Sequence, residues 1–192
     1  MAEITSQNQS LDGNPSRHLP LTELEARLRA LPGSPNDSGR LVLIVRRPVD
    51  GSRETPERLR LTPDDGVPGD TWGRNPERNL EAQIAVMRRD VAELLANGQP
   101  LTLFGDSLFV DFDISLGNLP IGSRLRVGEA VVEVTPMPHN GCSKFKARFG
   151  TDALFFVNAK PTRHLNLRGF YWKVVELGEV RVGALIEVVS RP

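Results

Sequence analysis

The sequence predicts a mainly β fold with short helices, its strands closing into a barrel. Three observations carry this reading. Between Leu108 and Ser115, the residues Leu108, Val110, Phe112 and Ile114 alternate with Phe109, Asp111, Asp113 and Ser115, which is the two-residue period of a strand. The period returns at Leu125 and Val127 and again at Val132 and Val134. Gly117-Asn118, Gly122 and Gly128 interrupt these runs as turns, and several short strands at such spacing favour a closed or partly closed barrel.

The elements follow in order. Residues 1–20 are rich in Ser, Asn, Gln and Gly with few apolar side chains, so they read as a flexible tail, and 21–192 as a single domain. Thr22 and Glu25 form a capping box ahead of a helix whose stripe is Leu24, Leu28 and Leu31, with Gly33 as its stop. Leu41 to Val45 reads as a strand buried on both faces, with Glu57 to Leu61 as its hairpin partner. GVPGDTW (Gly66 to Trp72) reads as a tight, specifically shaped loop. Ile84, Met87, Val91, Leu94 and Leu95 recur at helical spacing, although Gln83 to Met87 suits a short strand equally well; Asn97-Gly98 closes the run. Beyond the barrel strands, Phe145 and Phe149 stand four apart before Gly150, and Ala153 to Val157 forms a second short helix begun by Thr151 or Asp152. Trp172 to Val175 and Leu185 to Val189 are strand-like.

Composition narrows the function. With 24 Lys plus Arg against 24 Asp plus Glu, no net charge draws the chain to nucleic acid or to a membrane surface. The longest apolar runs are far shorter than the ~20 residues a spanning helix needs. One cysteine excludes an internal disulfide, and the first residues lack the basic start and apolar core of a signal peptide, so a reducing cytoplasm is expected.

That cysteine, Cys142, follows a strand ending near Thr135 and a Pro-Met-Pro turn, and precedes a short helix. Backbone amides are unpaired at a helix start, and Lys144, Lys146 and Arg148 add positive charge nearby. Such surroundings lower a thiol from about 8.5 toward roughly 3.5–7.5 and favour a thiolate. A free cysteine also commonly packs as a small hydrophobe, and composition does not choose between the two. His139, three residues earlier, suits a general base or an orienting partner for the thiol, or equally a turn residue. Lys144, Arg148, Arg163, His164 and Arg168 suit the phosphate of an anionic cofactor, or simple solvation. Asp70 and Asp106 suit turn-making through their side-chain oxygens. A small metal site using Cys142, His139 and His164 is a further alternative, without the paired ligand spacing of zinc sites.

Several stretches together carry a resemblance: GDSLFVDFDISLGNLPIGSRLRVGEAVVEVT, PHNGCSKFKARFG, DALFFVN, LRGFYWKVV and GEVRVGALIEVV, with LVLIV, the RP and G of RRPVDG, and GVPGDTW upstream. This pattern resembles the MOSC domain, found at the C-terminus of molybdenum cofactor sulfurases and in related stand-alone bacterial proteins. The resemblance implies a barrel of the pyruvate-kinase-barrel-like kind with a cysteine at the rim of a pocket. It implies handling of molybdenum cofactor or carriage of activated sulfur, with Cys142 as the site of a persulfide or as a molybdenum ligand. Asp70 and Trp72 match the family's loop, which places Asp70 with the cofactor-binding candidates Lys144, Arg148, Arg163, His164 and Arg168. Many members hold the cysteine in an Arg-x-Pro-Cys setting, whereas here it is His139-Asn140-Gly141-Cys142. Pyridoxal phosphate comes with the family only by association, since no lysine motif for it is present. The chain has no cysteine desulfurase domain, so a sulfur-donor protein of that type is the implied partner, alongside a small anionic cofactor or substrate. The alternative is a non-catalytic module that presents molybdenum cofactor or another anionic small molecule to a partner enzyme.

Overall fold

The computed structural model describes residues 12–192. Its elements run α1 (Leu21–Ala30), β1 (Ser38–Ile44), β2 (Arg58–Leu61), α2 (Thr71–Arg74), β3 (Ile84–Arg88), α3 (Arg89–Ala96), β4 (Leu108–Asp111), β5 (Arg124–Val127), β6 (Ala130–Val134), α4 (Ser143–Phe149), α5 (Thr151–Asn158), β7 (Phe170–Glu176), β8 (Gly178–Arg181) and β9 (Leu185–Ser190). Seven strands close a barrel in the order β1-β4-β3-β7-β6-β5-β9, and β2 pairs with β8 in a separate ribbon. Barrel neighbours are antiparallel except β3 and β4, which run parallel. The expected mainly β barrel with short helices is therefore the observed architecture.

Two apolar clusters explain why some strands alternate and others read as continuous apolar runs. Inside the barrel, Leu41, Val86, Leu108, Val110, Val132 and Trp172 belong to one core. Outside it, Met87 of β3 and Phe109 of β4 join Leu24, Val91, Leu95 and Phe149 in a second. A strand covered on both faces loses its polar alternation. Strand β5 has no helix over it, so Arg124 and Arg126 are exposed while Leu125 and Val127 are buried.

Several local expectations change. The segment Glu57 to Leu61 is not the hairpin partner of β1, because both edges of β1 are taken by β4 and β9. Leu59 instead faces Val180 of β8, a strand that the sequence pattern did not reveal. The capping box at Thr22 is not used. Helix α1 starts two residues earlier, with Pro20 rather than Thr22 at its N-cap; its Leu21 N–H donates to Asp152 Oδ2 of α5 at 3.0 Å, and it ends at Ala30, before Gly33. Gln83 to Met87 resolves in favour of strand, since β3 pairs with both β4 and β7 before α3 begins. The alternation from Leu108 to Ser115 leaves the strand at Asp111, yet Phe112 and Ile114 still enter the barrel core. Of the expected tail, residues 1–11 lie outside the described residues. Residues 12–20 are anchored at two places: the Asn14 N–H donates to Gln99 Oε1, just beyond α3, at 2.7 Å, and His18 Nε2 lies 3.2 Å from the Arg148 carbonyl of α4.

The chain enters β7 through a glycine with no room for a side chain. Gly169 has φ +90°, and a Cβ there would lie 2.1 Å from the Val86 carbonyl oxygen. It turns the chain between Arg168 and β7 while letting two backbones touch. Gly169→Ala is expected to destabilise by more than the ~1–2 kcal/mol of a left-handed alanine alone, read as a lower urea midpoint at unchanged slope. A variant as stable as the parent would contradict this turn geometry.

Candidate functional site

Helix α4 sets the position of Cys142, and aromatic packing sets the position of α4. Phe145 and Phe149, four apart, share one face of the helix. Their rings lie 6.1 and 4.1 Å from that of Phe104, which meets Phe109 of β4 edge-on at 5.9 Å. The opposite face stays free, so Cys142, at the helix start, is exposed. Burial pushes its thiol up, but the backbone N–H groups of Phe145 and Lys144 and the charges of Arg168 and Lys144 together outweigh that. The thiol pKa therefore lies below its ordinary value, and the thiolate is stabilised relative to a free cysteine.

His139 does not contribute the charge. Its side chain is only 8% exposed, and burial, then Arg168 and Arg47, hold its pKa well below the ordinary histidine range. It is a neutral imidazole at pH 7, and since burial and the two arginines oppose its taking up a proton, it neither pairs as imidazolium with the thiolate nor serves readily as the base suggested by its place in the sequence. Its ring packs on Tyr171 at 4.4 Å, and its Nδ1 is sealed from solvent without a hydrogen-bond partner.

Behind His139 lies an ion pair, although Asp106 reads from sequence as a turn residue. Asp106 is fully buried, and both its oxygens accept from Arg168 Nη1, at 2.9 and 2.7 Å. Burial pushes the Asp106 carboxyl up, and Arg168 and Arg47 pull against it. The Arg168 guanidinium also lies 5.1 Å over the Phe145 ring, a cation–π contact that ties the pair to α4. Its Nε is buried without a partner. Asp70 behaves similarly. At 2% exposure it accepts from the Arg47 side chain at 2.9 and 2.5 Å and from the Arg47 N–H at 2.7 Å, and it caps α2 through the Trp72 N–H. Burial pushes its carboxyl up, and the Arg47 bonds and charge more than reverse that, leaving it below the usual carboxylate range. Asp70 thus reaches a ligand only through Arg47.

Two cavities meet at His139 and Arg168. The larger, about 390 Å³, is lined by those two residues together with Arg47, Trp72, Arg78 and Tyr171, and by no Asp or Glu. Arg78 stacks 5.2 Å over Trp72, and its Nε is buried without a partner. Because the carboxylates of Asp70 and Asp106 sit behind their arginines, the cavity wall presents donors and flat aromatic faces, the lining an anionic ring compound needs. Arg53, absent from the sequence expectations, stands near Arg47 and Arg148. Burial and then those two charges lower its pKa.

The remaining candidates separate. Lys144 is exposed on α4 beside the thiol, and Arg148 donates to the Leu103 carbonyl at 2.7 Å. Arg163 lines the second cavity, not the one with Arg47. His164 is exposed and lines neither. The alternative of a metal held by Cys142, His139 and His164 is not assembled, and among the described residues no three His, Cys, Asp or Glu side chains converge. No helix among them is long and apolar enough to cross a membrane. Arg47 and Tyr171 were readable only as part of RRPVDG and LRGFYWKVV; nothing local distinguished Arg53 or Arg78.

Residues 76–187, more than half of the chain, match the MOSC domain family. The chain belongs to the MOSC family. Within it, the chain is 32% identical over 99 residues to the uncharacterized protein YflK of Bacillus subtilis, a match covering 52% of this chain and 42% of that protein. The chain thus matches about two fifths of that relative's length. Two solved structures share the fold: YUAD from Bacillus subtilis, with TM-score 0.54 at 16% identity over 79% of this chain and 95% of that one, and YiiM from Escherichia coli, with TM-score 0.52 at 22% identity over 80% and 71%. The match to the MOSC family takes in β3 to β8 and so contains Cys142, His139, Asp106 and Arg168, while Arg47 and Asp70 lie upstream of it.

Proposed function

We propose that this MOSC protein carries activated sulfur as a persulfide on Cys142 and delivers it to an acceptor associated with the molybdenum cofactor. The observation that carries the reading is the exposed thiol at the start of α4, biased toward thiolate by two backbone N–H groups and by Arg168 and Lys144. In the first step the Cys142 thiolate attacks the outer sulfur of a donor persulfide. A new S–S bond forms on Cys142, the donor S–S bond breaks, and the donor leaves as thiolate, with no net oxidation. An acceptor nucleophile then takes the outer sulfur, and Cys142 leaves as the thiolate its surroundings favour.

The residues present fit an anionic cofactor: buried donors of Arg78 and Arg168 lack partners, and no carboxylate lines the cavity they share with Arg47. Arg47, Arg78 and Arg168 would hold its anionic groups, and Trp72 and Tyr171 would cover its ring. When bound, molybdenum cofactor supplies a metal centre for sulfur acceptance or redox chemistry, and a soft thiolate such as Cys142 is also a ligand type for it. A second reading, a binding module without chemistry, draws on the fact that Cys142 lines neither cavity at His139 and Arg168, so the anion site is complete without the thiol.

The test is direct because Cys142 is the only cysteine in the chain. The alkylation rate, followed by mass spectrometry, is expected to rise with pH through a midpoint below the free-thiol value of about 8.5. Incubation with a cysteine desulfurase and L-cysteine should then add one sulfur to the peptide containing Cys142. A midpoint at or above the free value, with no added sulfur, would leave the binding module as the better account.

A further inference from the structure

The second cavity, about 140 Å³, lies on the other side of His139 and Arg168. Its wall is apolar, with Val134, Pro136, Val157, Leu167 and Phe170 among the lining residues. Three large apolar residues at its mouth stay exposed: Leu116 at 39%, Ile121 at 52% and Met137 at 38%. Exposed apolar side chains clustered at one concave place mark a binding site more often than scattered ones do. The charged groups are few and all of one kind. Arg163 is exposed at this cavity, with no ion pair or side-chain hydrogen bond among the described residues. Arg168, nine-tenths buried, brings a guanidinium whose Nε has no partner. No Asp or Glu lines the cavity, and His139 at its floor is neutral.

We infer that this cavity is a second ligand site, taking a small organic anion with an apolar ring or short chain as its body and a carboxylate, sulfonate or phosphate as its head. The apolar wall covers the body, and Arg163 and Arg168 face the head. The size suits a single ring rather than a peptide helix or a second copy of the chain, and the flat faces of Trp72 and Tyr171 belong to the other cavity. Since His139 and Arg168 line both, a ligand here shares a wall with the arginine-lined cavity. This assignment goes beyond sulfur carriage and stands whether or not Cys142 accepts sulfur.

The experiment uses the full chain and fluorine NMR with 4-fluorobenzenesulfonate, its neutral isostere 4-fluorobenzenesulfonamide, and the exposed-site variants Ile121→Asp and Arg163→Ser. Saturable binding of the sulfonate is expected, with the sulfonamide weaker by about tenfold or more, one decade in Kd being the usual effect of losing one good contact to a charge. Ile121→Asp should weaken the sulfonate by a similar factor and Arg163→Ser by severalfold, with both variants melting like the parent. Three results would overturn the proposal: no saturable binding at millimolar sulfonate, equal binding of the neutral sulfonamide, or full binding in both variants, which would put the probe elsewhere. Self-association of the parent that Ile121→Asp abolishes would also overturn it, assigning the apolar mouth to a contact between copies.

Discussion

Asp106→Asn is expected to cost about 3–5 kcal/mol, because it leaves the Arg168 guanidinium buried without its counter-charge. Arg168 is 6% exposed and Asp106 fully buried, and both carboxylate oxygens accept from the same Nη1. Water therefore has little access to replace the lost charge. For a chain of this size the cost corresponds to a fall in Tm of roughly 6–20 °C. The double variant Asp106→Ala with Arg168→Met should regain much of that stability, since an apolar pair carries no desolvation cost. It should nevertheless lose anion binding in the arginine-lined cavity, which separates the pair's structural role from its role at the ligand. Thermal melts and anion titrations on the two variants check this. An Asp106→Asn protein as stable as the parent would mean that Arg168 finds another partner and that the pair does not organise the site.

Cys142→Ser is expected to remove all persulfide formation and all alkylation while leaving Tm within about 1 °C, as exposed substitutions change stability little. The thiol is exposed, and the packing that fixes α4 comes from Phe145 and Phe149 on the opposite side. Anion binding to the Arg47, Arg78 and Arg168 wall should persist, because the thiol lines neither cavity. Loss of sulfur loading with binding intact supports a carrier. A large drop in Tm would instead show that Cys142 packs structurally, and loss of anion binding would show that the thiol is itself part of the ligand site.

The barrel strands with one wet face were legible because the chemistry is local. Leu125 and Val127 point inward and Arg124 and Arg126 outward whatever the partners are, so alternation alone reveals β5. The α4 and α5 helices were equally readable, with Phe145 and Phe149 four apart and Gly150, at φ +99°, turning the chain between them. Strand β3 was ambiguous because both of its faces are covered, and β8 was missed because its alternation of buried Gly178 and Val180 with exposed Glu179 and Arg181 lasts only four residues and its ladder partner, β2, is far away along the chain. The cap of α1 was misplaced for a similar reason: the helix begins at Leu21, whose N–H finds Asp152, 131 residues away, while the Glu23 and Leu24 N–H groups donate to the Pro20 carbonyl.

The site divides along the same line. The barrel class, the lone thiol, its place before a short helix and the MOSC resemblance could all be read from the order of residues, because each rests on neighbours a few positions apart. The electrostatics around that thiol came from folding. Folding put Asp106 under Arg168 and Asp70 under Arg47, across 62 and 23 residues of chain, and so turned two carboxylates inward and left the guanidiniums lining a cavity. It moved Arg163 to a second cavity, left His164 outside both, and kept His139 neutral. Charge at a site depends on which groups are buried together and which face the opening, and that is a property of folded distance rather than of order along the chain.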